Sequence, residues 1–128
     1  MAETALSQIF IEVKNLIADY DKVLVAEKVE ATKPQYHLWS YKSIEAFGRK
    51  RDKIYFAGVI QQKSFVGFYF MPVYAEPAKL KKFFSPKLLT LLKGKSCFHL
   101  KRLDADLLAD IKHALEVGFK EYQTKGWV

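Results

Sequence analysis

Two side chains in this sequence have a spacing that chemistry could use. Cys97 and His99 stand two apart in KSCFHLKR (residues 95–102), whose alternation predicts a strand with Cys97 and His99 on one face and Phe98 and Leu100 on the other. On a strand such a pair lies roughly 7 Å apart, from the ~3.3 Å rise per residue. A thiol and an imidazole so placed can act as nucleophile and base, or as half of a metal site. Thiolate is favoured at a helix N-terminus, however, and a cysteine inside a strand commonly packs as a small hydrophobe. His37 and His113 are isolated in sequence, and no H-x-x-x-H, C-x-x-C, P-loop, G-x-G-x-x-G or G-x-S-x-G pattern occurs. The sequence therefore predicts no catalytic residue and a binding domain that is not an enzyme.

Charge offers a second kind of chemistry. The net charge of +7 is unevenly placed: residues 33–103 carry fifteen Lys or Arg against three acids, while both ends are acidic. Such asymmetry points to an anionic partner for the middle section. Candidate anion-binding residues are Arg49, Lys50 and Arg51, three consecutive cations after Gly48, with Lys82 and Lys95 in the lysine-rich segment 79–95. A phosphate site would want a glycine-rich turn feeding a helix N-terminus, and only Gly48 is present, so residues 42–53 are expected to be a solvated connection. The aromatic residues fall in apolar strands rather than among the cations, which argues against nucleic acid. Acids on the two terminal helices, Glu3, Glu12, Asp19, Asp21, Asp104, Asp106 and Asp110, can supply weak oxygen-rich sites for hard cations, with Glu12, Asp19, Asp104 and Asp106 as metal candidates.

These residues must be positioned by a small set of elements. Residues 54–60 and 65–71 are rich in aromatic and β-branched side chains, with polar Gln61, Gln62, Lys63 and Ser64 between them, which predicts a central hairpin. A two-residue or a four-residue loop there sets Ile60 opposite Phe65 and Gly58 opposite Gly67. One face then carries Ile54, Phe56, Ile60, Phe65, Tyr69 and Met71, the other Tyr55, Ala57, Val59, Val66, Phe68 and Phe70. Both faces are apolar, so the hairpin is either covered on both or covered on one and sticky on the other, which leaves a homodimer open. The two glycines leave a notch, and Trp39, Gly58, Gly67 and Tyr69 are the candidate ligand pocket.

The flanking segments are also legible. Leu6, Ile9, Phe10, Val13, Leu16, Ile17 and Tyr20 make one stripe of a helix over residues 3–20. Residues 21–33 are ambiguous between a helix extension and an edge strand. Residues 36–42 alternate as a strand beside the hairpin, with Tyr36, Leu38 and Ser40 on one side and His37, Trp39 and Tyr41 on the other. Pro77 starts a short helix, Ser85-Pro86 caps a second that Gly94 stops, and Asp104 caps a long terminal helix closed by Gly126, after which Trp127 folds back.

At 128 residues the chain suits one domain, 1–128, able to bury roughly two-thirds of its unfolded surface. No segment approaches the ~20 apolar residues of a membrane span, no basic leader precedes an apolar run, and a single cysteine fits a reducing compartment. A cytoplasmic protein with no membrane partner is expected.

The element order, together with Tyr36-His37-Leu38-Trp39, Tyr55-Phe56-Ala57-Gly58-Val59, Gly67-Phe68-Tyr69-Phe70-Met71-Pro72 and Lys95-Ser96-Cys97-Phe98-His99-Leu100, resembles the YdhG-like bacterial domain family over roughly residues 5–125. That family is a domain of unknown function, some members of which are described as frataxin-like iron chaperones. The resemblance implies an α+β fold: a central antiparallel sheet of about four strands, hairpin in the middle, packed against N-terminal and C-terminal amphipathic helices. It also implies weak iron binding or iron delivery, with iron–sulfur or haem assembly proteins as partners.

Overall fold

The apolar stripe of the N-terminal segment forms α1 (Ala2–Ala18), on which Leu6, Ile9, Phe10, Val13 and Ile17 are buried, as their spacing predicts. The computed structural model describes residues 2–27 and 33–128, with side chains from residue 5 onward. Of the ambiguous segment, residues 25–27 form a short edge strand, β1 (Val25–Glu27), and residues 28–32 lie outside the described residues. The other strands are β2 (Gln35–Ser40), β3 (Ile44–Ala46), β4 (Arg49–Arg51), β5 (Ile54–Gln61), β6 (Val66–Phe70), β7 (Leu92–Lys93) and β8 (Cys97–Leu100).

Six of them make one sheet in the order β1-β2-β5-β6-β8-β7, with every described pairing antiparallel. The hairpin is central and the fold is α+β, as expected. The expectation of about four strands is corrected to six, because β1 and β7, at three and two residues, are too short to leave an alternation signal. A further correction concerns residues 42–53: β3 and β4 form a second, two-stranded hairpin rather than an irregular connection. Its turn is Phe47-Gly48, both at positive φ (54° and 80°). Hairpin turns of this kind normally signal themselves through Asn-Gly or Asp-Gly, and phenylalanine hides the signal.

The short helices are α2 (Met71–Ala75), α3 (Pro77–Leu80) and α4 (Pro86–Leu89), with a single 3-10 turn at Lys81–Phe83. Met71 opens α2 instead of ending a strand. Ser85 Oγ accepts from the Leu88 N–H at 3.1 Å with Pro86 at the first helical position, so this cap forms as read. The helix ends at Leu89, short of the expected Gly94, which instead turns β7 into β8 at φ 72°. The last helix, α5 (Ala105–Thr124), is capped by Asp104, whose carboxylate accepts from the Leu107 N–H at 2.8 Å. It closes at Gly126 (φ 76°), with Gly126 N–H donating to Gln123 and Trp127 N–H to Tyr122. Trp127 does fold back: it is 8% exposed, and its carbonyl accepts from the buried Ser40 hydroxyl of β2.

The central hairpin pairs in a different register from the one expected. Gly58 faces Tyr69 and Ile60 faces Gly67, two residues beyond the predicted pairing, because Gln61 joins the ladder opposite Val66 and the turn moves to Lys63-Ser64. A shift of two preserves the faces. A β-bulge does not: Leu38 pairs with Ala57 but Trp39 with Tyr55, so Phe56 is an extra residue with no partner on β2. Ile54 and Phe56 are thereby turned to the helix side, both buried, and Tyr55 to the opposite side, which reverses the predicted faces at this end of the strand.

The helices cover that one face. Phe56 is fully buried and touches Tyr20 beyond α1, Phe70 of β6, and Phe119 and Tyr122 of α5, at centroid separations of 5.7, 6.0, 5.8 and 5.4 Å. Gly118 permits the close approach of α5, since a Cβ there would stand 2.3 Å from Phe70 Cζ. At the bulge the Tyr122 hydroxyl donates to the Tyr55 carbonyl at 2.6 Å, giving a partner to a group beside the break in the ladder. Tyr122→Phe is expected to lower stability by about 1–3 kcal/mol, the cost of a buried acceptor left unpaired. An unchanged thermal midpoint in calorimetry would show that the bulge is held without this bond.

Candidate functional site

The face of the sheet away from the helices is covered by its own side chains. The Tyr55 ring lies across Gly58, where an added Cβ would meet Tyr55 Oη at 1.8 Å and His37 Nδ1 at 2.3 Å. Tyr69 folds over Gly67 in the same way, with Cε2 2.8 Å from a Cβ position there. The notch expected beside Trp39, Gly58, Gly67 and Tyr69 is therefore filled by aromatic rings. Phe65 stacks on His99 at 3.9 Å between centroids, and Lys53 Nζ sits 4.4 Å over Trp39. Trp39 Nε1 is buried and finds no hydrogen-bond partner among the described residues.

A polar chain runs through this layer. Burial lowers the pKa of His37, which favours the neutral imidazole, with Glu27 opposing weakly. In its neutral form the ring has one consistent arrangement: Nε2–H donates to Gln35 Oε1 at 3.0 Å and Nδ1 accepts from the Tyr55 hydroxyl at 2.6 Å. Burial also drives the Tyr55 hydroxyl far up, which keeps it a donor. The Cys97 thiol, paired opposite Tyr69, is likewise pushed up by burial, so it is held as thiol at neutral pH. Cys97 and His99 do share a face, but the imidazole is engaged by Phe65.

The cations are sorted by the fold. Lys79 pairs with Glu121 of α5 at 2.7 Å, and Arg51 Nε donates to the Ala46 carbonyl at 3.1 Å while its guanidinium covers Phe47. Lys50 and Arg51 share a shallow depression with Glu45 and Asp52, which offset their charge. Arg49 and Lys82 are exposed on β4 and on the 3-10 turn, and Lys95 lies in a cleft with Phe47 and Tyr74. The predicted anion-binding residues are thus not brought to one point.

A different set is. Lys87 and Thr90 around α4, Leu91, Lys93 of β7, His99 of β8, Lys101 and Arg102 beyond it, and Asp104 and Leu107 at the start of α5 enclose a cleft of about 540 Å³. Four Lys or Arg face a single carboxylate, and Leu91 and Leu107 supply apolar wall. Asp104 is occupied: Lys87, then the Leu107 N–H, hold its carboxyl below the usual range, and Asp104 in turn keeps Lys87 charged. The remaining cations, Lys93, Lys101 and Arg102, have no ion-pair partner among the described residues. Lys101 and Arg102 escaped the sequence reading, although a basic pair between a strand and a helix cap is a local signal that could have found them.

Of the acids, Glu12 and Asp19 sit on and just past α1, and Asp104 and Asp106 at the start of α5. Among the described residues no three His, Cys, Asp or Glu side chains converge in a way that could hold a metal ion. None of the helices in the described part is long and apolar enough to cross a membrane. Comparison of the chain with protein families, with curated proteins and with solved structures finds no match.

Because the folded-state pKa of His37 lies below its unfolded value, the unfolded chain binds this proton more readily. The corresponding stability is complete above the unfolded pKa of about 6.5 and is lost as pH falls below it. His37→Gln is expected to flatten the dependence of the thermal midpoint on pH just below that value. The same slope in both proteins would mean that His37 titrates alike folded and unfolded.

Proposed function

We propose that this protein binds a phosphate-bearing ligand in the cleft between α4, the β7–β8 hairpin and the start of α5. One observation carries the reading: Lys93, Lys101 and Arg102 converge on a cleft of about 540 Å³ whose sole carboxylate is already paired with Lys87. Cations gathered without counter-charges repel one another, and an anion entering between them relieves that repulsion. Arg102 offers the planar fork that matches phosphate geometry, and the lysines add point charges. His99 supplies a further hydrogen-bonding group at the rim, whereas the Thr90 hydroxyl already donates to the Lys87 carbonyl at 2.7 Å. Leu91 and Leu107 give an apolar part of the ligand somewhere to lie.

The element order, an amphipathic helix, a hairpin-centred antiparallel sheet, short helices and a long terminal helix, supports a YdhG-like assignment. The iron-delivery role that accompanies it would need convergent carboxylates, whereas Asp104 is bound to Lys87 and Glu12 and Asp19 lie on another helix segment. The phosphate reading has the better geometry.

Isothermal titration with inorganic tripolyphosphate tests it. Affinity should fall with salt between roughly 50 and 200 mM, as expected when phosphate contacts release counterions. Replacing Lys101 and Arg102 together by Gln should weaken binding about tenfold or more, by loss of two charge-assisted contacts. Lys22→Gln, at an exposed position outside both clefts, should not. Equal weakening by either change would reduce the interaction to net charge and sink the proposal.

A further inference from the structure

Gly94 and Lys95, on the other side of the β7–β8 turn from Lys93, form one wall of a second cleft of about 490 Å³, completed by Phe47, Val73, Tyr74, Ala75, Pro77 and Lys81. Its aromatic residues are unlike those of the core. Phe47 and Tyr74 are 46% and 42% exposed, with ring centroids 5.5 Å apart. Phe47 also holds a left-handed backbone conformation that a bulky residue rarely adopts and that Asn or Gly would suit better. Its ring partly shields Trp127, at 6.0 Å, yet nearly half of it is left facing solvent.

Each ring is attended by a cation. Arg51 lies 5.2 Å from the Phe47 centroid and Lys95 5.7 Å from that of Tyr74, and Lys81 lines the same cleft. In sequence Phe47 already precedes Arg49-Lys50-Arg51 while Tyr74, Lys81 and Lys95 lie elsewhere; in the fold β3–β4, α2 and the β7–β8 turn bring them together. That arrangement overturns the ground on which the sequence argued against nucleic acid. Exposed rings with Lys81 and Lys95 beside them provide what an unpaired base and its phosphate require, a face to stack on and positive charge next to it. The two rings are inclined at 56°, so a planar base can lie flat on only one of them, with the other as a wall.

We infer that the phosphate-bearing ligand is single-stranded nucleic acid, with a base stacked in the Phe47–Tyr74 cleft and the backbone crossing the β7–β8 turn into the basic cleft. The inference rests on the phosphate-binding reading and adds the stacking subsite to it. Continuity favours a strand over a free nucleotide: Lys93 faces one cleft and Lys95 the other, with Gly94 alone between them.

Fluorescence anisotropy with a labelled oligothymidylate and an abasic deoxyribose-phosphate oligomer of equal length separates the two layers. The intact protein should bind the base-bearing strand about tenfold or more tightly than the abasic one, the advantage that stacking gives. Phe47→Asn, which suits the turn, and Tyr74→Ala should each erase that preference while leaving abasic binding in place, which also shows that the variants fold. Phe83→Ala, an exposed aromatic outside both clefts, should leave the preference intact. Equal affinity for both oligomers would overturn the stacking subsite and leave the phosphate reading standing. Failure to bind either oligomer or tripolyphosphate would overturn both, and thymidine monophosphate binding as tightly as the strand would overturn the strand in favour of a nucleotide.

Discussion

The fold depends on where Phe56 points. Strict alternation along β5 would place it with Gly58 and Ile60, on the face without helices; the bulge opposite Leu38 and Trp39 turns it inward. There its ring meets both terminal segments and the neighbouring strand, through Tyr20, Phe119, Tyr122 and Phe70. A fully buried phenylalanine is worth about 3–5 kcal/mol against alanine, a large share of the stability of a domain this size. The same bulge moves Tyr55 outward, where its ring roofs Gly58 and its hydroxyl reaches His37. One irregularity therefore completes the core and fills the notch on the other side.

The proposed location of binding is consistent with that. With the helix face packed and the open face tiled by Tyr55, Tyr69, Phe65 and Trp39, the notch expected on the sheet is filled, and the proposed binding clefts lie at the rim. The rim is electrostatically sorted. Lys79 and Lys87 are paired with Glu121 of α5 and Asp104 at its cap, and Lys125 at the end of α5 with Glu76 between α2 and α3, while Lys81, Lys93, Lys95, Lys101 and Arg102 around the β7–β8 turn have no ion-pair partner among the described residues. The acidic C-terminal helix and its cap thus offset Lys79 and Lys87 and leave Lys81, Lys93, Lys95, Lys101 and Arg102 unpaired, among the described residues, on the two clefts.

Much of the architecture was legible. The stripe on α1, the alternation of β2 and β8, the Ser85-Pro86 and Asp104 caps and the Gly126 closure all arise from local periodicity or local backbone chemistry, which the sequence displays directly. The hairpin register was not, because Gln61 reads as loop: its amide makes a tertiary bond to Ser7 that no local pattern announces. The bulge left no trace either, since Ile54, Tyr55 and Phe56 are all apolar enough for either face. The basic cleft was half visible. Its lysines at 87 and 93 stood in a segment already marked as cationic, but Lys101 and Arg102 join them only through the β7–β8 pairing and the turn into α5. The aromatic cleft was invisible, because Phe47, Tyr74 and Lys95 lie far apart in sequence and Phe47 occupies a turn position that a phenylalanine does not advertise.

The proposed function places ligand recognition at the β7–β8 turn and not on the sheet. Amide chemical-shift mapping while tripolyphosphate is added tests it most directly. Shifts are expected only at Leu91, Lys93, Lys101, Arg102 and Leu107 and their immediate neighbours, with His37, Tyr55 and Gly58 unmoved. Shifts centred on His37, Tyr55 and Gly58, or on the acids of α1, would contradict it.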